Sequence, residues 1–531
     1  MALGTVVSRI TGFVRNIIIA AALGTAIFAD TYNAANTIPS MIYILLVGGA
    51  LNSVFVPQLV RAMKNDADGG VAYANRLLTM TAVTLLAITT IAVLAAPAVI
   101  WAAAHGFTKE GSGAEFSLAV TFARYCLPQI FFFGIFVMLG QVLNARDSFG
   151  PMMWTPILNN VVVIATFGIF IAVAGTGRSA STITPAETRL LGIGTTLGIV
   201  VQALALVPYL HATGFRYRPR FDWRGAGLGK VGHLAKWTVL FVLVNQLGYL
   251  VVTNVTTLLA DKAKASGLDV GVGFTPYTNA HLLFMLPHSI ITVSVVTALL
   301  PRMSRSVTED RLADVRDDIS SSLRTIGVAI VPAAFAFLAL GQDIAGAMYW
   351  RNGAADAHVI GYVLMAFALG LIPFSAQYML LRGFYAFEDT RTPVFIAVVI
   401  NAVNVVLVLT AYAVLPVRWV VVGMAAGYGI SYALGLAVTS RILSPRVGGM
   451  DMAPVVRTYA RLAVAASVGA ALAFAVARAC TTIAGTGLVG SALAVVCGGA
   501  VLTAGYLLTA QRMHVREVST LVGMVKSRLR R

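Results

Sequence analysis

Charge is what this sequence has least of. Only 11% of its 531 residues are Asp, Glu, Lys or Arg, where a soluble globular chain carries roughly 25%. Hydrophobic residues make up 58% and mean hydropathy is +0.84. A water-soluble fold of several domains is thereby excluded, because only lipid can cover so much apolar surface. Cysteine is scarce as well. Cys126, Cys480 and Cys497 are odd in number and sit inside apolar runs, which excludes a disulfide framework or a Cys-based metal cluster and leaves small packing residues.

Catalytic patterns are missing too. There is no HExxH, no GxSxG, no paired-Cys motif and no pair of membrane-embedded aspartates. The stretch Gly225-Ala-Gly-Leu-Gly-Lys230 lacks the P-loop spacing and is followed by Val231, so no ATPase cassette is read here. Asp317-Asp318 lies among arginines and reads as a solvated helix face. No run alternates at period two, which excludes a transmembrane β-barrel. These absences point to a transporter and not an enzyme, without cofactor or metal centre.

What the chain has is long apolar runs. A helix needs about 20 apolar residues to cross roughly 30 Å of hydrocarbon. Runs between polar breaks predict fourteen spans at 4–24, 36–60, 77–103, 117–143, 152–174, 190–211, 236–260, 277–300, 325–348, 358–381, 393–415, 419–440, 458–479 and 487–510. The fold class is therefore an all-α polytopic membrane protein. The N-terminus imitates a signal peptide, with Arg9 and Arg15 before the run 17–23. No hydrophilic mature domain follows, so it reads as the first span.

The net charge of +17 would suggest nucleic acid in a soluble protein; in a membrane protein its distribution decides. Connections after even-numbered spans, with the tail, hold 25 Lys and Arg, and those after odd-numbered spans hold eight. By the positive-inside rule both termini are cytoplasmic, in a bacterial inner membrane, and no nucleic-acid partner is expected.

Two stretches read alike. Asn144-Ala-Arg-Asp147 leads to Pro151 and Asn159, and Glu388-Asp389-Thr-Arg leads to Pro393 and Asn401, an offset of 242. Pro39 and Pro57 find weaker echoes in Pro287 and Pro301. A repeat of six spans, an even number, gives two copies of one orientation, related by an axis along the membrane normal. The expected organisation is an N-lobe over 1–212, a basic linker over 213–235, a C-lobe over 236–445, spans 13 and 14 over 446–512, and a basic tail over 513–531.

Polar residues inside spans are costly and mark function. Arg9 and Arg15 lie in span 1 with Gly12 between them; Arg9 either snorkels or joins a cavity, and Arg15, roughly 9 Å deeper, is the stronger cavity candidate. A bend at Gly12 would bring the two together. Asp30 is either an exposed loop carboxylate or a functional acid. Pro39 with Gly48 and Gly49 makes span 2 a candidate gate or hinge, or a close-packed helix. His281 and His288 share a face of span 8, as packed imidazoles or as cargo ligands. Asn245, Gln246, Asn254, Asn401 and Asn404 either glue helices or supply oxygens to a cation, for which Asn401 is the candidate.

These residues resemble a family. Ser8-Arg9-Ile-Thr-Gly12-Phe13-Val-Arg15 is similar to the SRxxGFxR opening of the MurJ/MviN lipid II flippases. The similarity continues through Asp30, Pro39, Gly49-Ala50, Phe55-Val56-Pro57, Pro156-Ile-Leu-Asn159, Leu300-Pro301, Gly383-Phe-Tyr385 and Asp389-Thr-Arg-Thr392-Pro393. It covers spans 1–12 and, more loosely, 13 and 14.

The resemblance implies the multidrug/oligosaccharidyl-lipid/polysaccharide exporter fold, with spans 13 and 14 forming a lipid-tail groove. It implies alternating-access transfer of lipid II, the undecaprenyl-pyrophosphate-linked peptidoglycan precursor, to the outer leaflet for cell-wall synthesis and cell shape. Arg9 and Arg15 fall on family arginines held to bind the head group and Asp30 on a functional acidic position; with Tyr43 and His281 they make the expected substrate-binding set. Membrane lipids and cell-wall synthesis proteins are the implied partners, and the membrane potential or an ion gradient the implied driving force. An exporter of another polyprenyl-linked glycan, or of a drug, is the alternative.

The chain departs from the family pattern where further cavity arginines read Tyr43 and Leu282, and where an acidic sodium ligand aligns near Val252. Sodium coupling is thereby in doubt. Actinobacterial members, among which this chain is placed, often continue into a cytoplasmic kinase-like domain. The basic run Lys526-Ser-Arg-Leu-Arg-Arg531 reads either as a juxtamembrane anchor or as the start of such a linker.

Overall fold

A computed structural model of the chain describes residues 2–48, 62, 68–109, 111–222, 228–268 and 271–519. Gly49, Pro57 and the basic run at 526–531 lie outside the described residues. Within them the regular structure is helical, as lipid requires: hydrocarbon offers no partner to a peptide group, so each must bond within its own segment.

Among the described residues eleven helices are long and apolar enough to cross a membrane, and twelve if the pair Ala354–Ala368 and Leu371–Ala386, bent by 49°, is one span. These take the places of spans 3 to 14. The helices at the expected spans 1 and 2, Ala2–Leu23 and Ile27–Tyr43, are not among these twelve; the second runs on into a π-helical turn at Ile44–Gly48. Span 4 is stepped at Pro128, between Gly113–Cys126 and Gln129–Ala145. Span 6 is stepped at Ala205, between Pro185–Leu204 and Leu206–Ala212, where Pro208 has no N–H to return to the Leu204 carbonyl. Span 9 begins at Leu312, well before its apolar run, and ends at Tyr349.

The chain forms two compact units, one of 1–269 with 273–275 and one of 270–272 with 276–531. Span 7, Leu228–Ala265, belongs to the first, and the reason lies in the connection between spans 3 and 4. Asn254 donates to the Ala102 carbonyl at 2.9 Å and accepts from the His105 N–H at 3.0 Å. Lys264 pairs with Glu115 at 2.6 Å, and Ser112 donates to Asp261. The 3-10 turn His105–Thr108 lies so close to span 7 that a Cβ on Gly106 would stand 2.2 Å from the Thr257 carbonyl carbon.

In the second unit, spans 13 and 14 pack on each other and on span 9. Tyr459 donates to the Leu323 carbonyl at 2.8 Å and Tyr506 to that of Val328 at 2.7 Å. A Cβ on Gly469 would meet the Leu502 carbonyl oxygen at 2.7 Å, the close backbone approach that small residues permit between membrane helices.

The two similar stretches form the same kind of turn, with its left-handed residue one position out of the 242 register. Asp147 and Glu388 take left-handed backbone, at φ of 59° and 58°, and each ends one helix just before the next, Gly150–Ala174 and Arg391–Val414. In the second copy Asp389 accepts from the N–H groups of Arg391 and Thr392 at 2.9 and 3.0 Å and from Arg446 at 2.6 Å. Burial alone would raise this carboxyl, but the donors from Thr392, Arg446 and Arg391 hold it below its ordinary value. The π turns at Ile44–Gly48 and His288–Thr292 fall at matching places in spans 2 and 8.

Gly106 gives the first prediction. Gly106→Ala must move backbone at Thr257 and is expected to lower stability by about 2 kcal/mol or more. Gly168→Ala, where a Cβ meets nothing within 4 Å, should be neutral or slightly stabilising. Thermal unfolding of the two purified variants checks the pair; equal melting would refute the close approach.

Candidate functional site

Arg9, Gly12, Arg15, Asp30, Pro39, Tyr43 and Gly48 belong to the first unit, and His281 and Asn401 to the second. Each group is described within its own unit.

Span 1 runs helical from Ala2 to Leu23 without a break at Gly12. A Cβ at Gly12 would meet Asn160 of span 5 at 3.4 Å. That asparagine donates to the Ser8 carbonyl at 3.1 Å and to the Thr11 hydroxyl at 2.9 Å, so it braces the turn that carries both arginines. Arg9 and Arg15 are each half-buried. The Nε of Arg15 is buried with no hydrogen-bond partner among the described residues, and the guanidinium lies within electrostatic reach of the Tyr32 phenol. Tyr32 is itself wholly buried and stands 2.7 Å from the Thr195 hydroxyl. Since Thr195 donates to the Leu191 carbonyl, the phenol is the donor of that pair.

Asp30 is 0% exposed and so is not a loop carboxylate in solvent. Its Oδ1 accepts from the Thr275 N–H at 2.7 Å and its Oδ2 from the Phe274 N–H at 3.0 Å. Asn33, one turn on, donates to the Thr275 hydroxyl at 2.9 Å. Phe274 and Thr275 open the helix Phe274–Pro287, whose first N–H groups have no partner in the helix itself and attract an anion. The carboxylate fits only because residue 273 is glycine: a Cβ there would stand 1.9 Å from Oδ2.

Tyr43 stacks on Phe133 of span 4 with centroids 5.2 Å apart, and Pro39 is buried inside the same helix. Gly48 closes the π turn. Sequence reasoning missed Asn160, Asn33, Gly273 and Thr275. The only local signal was a glycine just ahead of a first-turn threonine and proline, Gly273-Phe-Thr275-Pro276.

In the second unit His281 stacks against Phe284 with centroids 5.7 Å apart and meets Phe367 and Tyr428 edge-on at 5.5 and 5.6 Å. His288 is buried, with its Nδ1 3.1 Å from the Ser375 hydroxyl. Asn401 donates to the Ala397 carbonyl of its own helix at 2.9 Å. Among the described residues no three His, Cys, Asp or Glu side chains gather as a metal site.

The arrangement is that of a transporter: embedded arginines on a braced helix, and a helix terminus held by a buried acid. The family model of the lipid II flippase MurJ matches residues 19–497. This chain belongs to the MurJ family. A probable lipid II flippase MurJ of Haemophilus influenzae is 28% identical over 415 residues, 75% of this chain and 77% of that protein. The lipid II flippase MurJ of Burkholderia cenocepacia is 28% identical over 450 residues, 83% and 81% of the two chains. Among solved structures, a lipid II flippase MurJ in an inward closed conformation matches with a TM-score of 0.73 over 97% of this chain and 98% of its own, at 17% identity. An inward-facing MATE-family transporter of the MOP superfamily matches at 0.66 over 83% and 94%, at 16% identity. At those identities the two structures establish the shared fold. Arg9 and Arg15 lie ahead of the stretch that the family model matches.

Asp30 and Gly273 give the second prediction. Asp30→Asn removes the charge and leaves a buried backbone donor facing an amide; an unmatched buried group costs about 1–3 kcal/mol. Gly273→Ala drives a Cβ into the carboxylate. Both are expected to impair transport strongly in a chain that still reaches the membrane, scored by growth of flippase-depleted cells against membrane abundance. Full growth with Gly273→Ala would mean that the 273–275 segment does not need this seat.

Proposed function

We propose that this chain is a lipid II flippase, turning the undecaprenyl-pyrophosphate-linked precursor of peptidoglycan from the inner to the outer leaflet by alternating access. The observation that carries this reading is membership of the MurJ family over residues 19–497. The chemistry of span 1 supports it. A guanidinium is a rigid fork of donors that matches phosphate oxygens two at a time, so Arg15, with Arg9, takes the pyrophosphate. Tyr43 and His281 take part as uncharged contacts to the cargo. Pro39 and the π turn that ends at Gly48 supply the bending, Gly12 gives span 1 its close seat on Asn160, and spans 13 and 14 form the groove for the polyprenyl tail.

Expression in cells depleted of their own flippase tests the function, and should restore growth. Arg15→Ala should abolish rescue at unchanged membrane abundance, and Arg15→Lys should restore it in part, because a point charge replaces the fork. Full rescue by Arg15→Ala would remove Arg15 from cargo binding; failure of the parent chain would remove the function itself.

Both termini are placed in the cytoplasm on the split of basic residues, 25 against eight. Cysteines introduced in the connections 212–233 and 442–456 should then label only from the cytoplasm, and those at 261–268 only from outside. The reverse pattern would invert the topology.

A further inference from the structure

A cleft of about 810 Å³ opens in the first unit between spans 3, 4 and 6, within the roughly 300–1,000 Å³ of small-molecule sites. Its walls are apolar, with Phe132, Leu139 and Val207 among them, and its rim carries His211, Arg216 and Tyr217. None of the described residues that line it is acidic. Leu204, at its edge, is 56% exposed, so a chain can enter sideways from the hydrocarbon. The step of span 6 at Ala205 lies between two of its lining residues, Leu204 and Val207.

The rim is fixed in place. Residues 215–222 run without helix across the end of span 3. The Arg218 N–H donates to Asn75 at 2.9 Å, the Arg220 N–H donates to Thr79 at 3.0 Å, and the Tyr217 hydroxyl is 2.9 Å from that of Thr79. Phe215, at the start of this strap, is fully buried under Arg146, whose guanidinium lies 5.2 Å from its ring. The acid of the strap, Asp222, is taken by Arg76 at 2.5 Å and Arg220 at 3.3 Å. Arg216 is exposed and forms no ion pair among the described residues.

We propose that this cleft binds an anionic phospholipid from the leaflet on the basic face, with one acyl chain in the cleft and the phosphate on Arg216 and His211. The walls belong to three membrane spans, which favours a hydrocarbon chain over a soluble ligand. The rim joins a guanidinium to an imidazole with no carboxylate between them, which favours a phosphate. Basic pockets between spans select anionic head groups in this way. The site lies wholly within the first unit.

Native mass spectrometry of the full chain, released from detergent with equimolar phosphatidylglycerol and phosphatidylcholine, tests it. One phosphatidylglycerol should be retained in preference. Arg216→Gln should weaken that retention about fivefold, the factor expected for one basic residue beside an anionic lipid. Val207→Trp, which fills the cleft, should displace the lipid while leaving the strap intact; Ala82→Phe serves if that variant unfolds on heating earlier than its parent. Retention unaffected by filling the cleft would overturn the proposal, because the lipid would then be held by surface charge alone. Equal competition by glycerol phosphate, or equal retention of both lipids, would overturn it as well.

Discussion

Hydrocarbon supplies no hydrogen-bond partner, and every other feature of this molecule answers to that constraint. A peptide group inside the bilayer must find its partner within its own segment or from a side chain set there for the purpose. Long unbroken helices are the simple answer, and most spans take it. Departures need local compensation. The π turns at Ile44–Gly48 and His288–Thr292 follow Pro39 and Pro287, each of which withdraws an N–H from the ladder. The opening of the helix Phe274–Pro287 shows the compensation directly: a buried carboxylate, Asp30, accepts the N–H groups that the helix cannot use.

The same rule explains what could be read from the sequence. Span count follows from the length of apolar runs: among the described residues, twelve of the fourteen runs hold a helix or bent pair of spanning length and apolarity, and the first two hold helices that fall short of it. The paired turns at Asp147 and Glu388 were legible because proline and asparagine keep their spacing in both copies. Asp30 was half legible. An acid near a helix start is visible, but its partners stand 244 and 245 positions away, and only glycine at 273 admits it. Hydropathy gives the apolarity of span 7 and says nothing of which neighbours its polar residues meet. Its place beside the 3–4 connection is decided by Asn254, inside the span and one of the asparagines offered as helix glue, and by Asp261 and Lys264, which a span count treats as boundary markers.

Helix ends were the least legible. Span 9 continues to Leu312 through Arg324, Asp318 and Arg316, because polar side chains beyond the hydrocarbon do not end a helix whose peptide groups keep bonding within it. Arg324 pairs with Glu517 at 2.7 Å, and Asp318 with Arg302 at 3.0 Å. An apolar run marks where lipid ends, whereas a helix ends where its last carbonyls find other partners.

Arg15 brings these considerations to one residue. An arginine at mid-membrane costs about 2.5–3.5 kcal/mol on insertion scales, and a chain this poor in charge has little reason to keep one unless something offsets the cost. No ion pair in the described residues involves it, and its Nε has no partner. The buried acid of the same unit, Asp30, is turned to the peptide groups of Phe274 and Thr275. Asn160 holds the backbone of span 1 in place and leaves the guanidinium fork uncommitted. On the function proposed for this family member, the missing counter-charge is carried by the cargo. On that proposal a pyrophosphate gives Arg15 the anion that no ion pair among the described residues provides, and its match to the guanidinium fork offsets the cost of burying the charge.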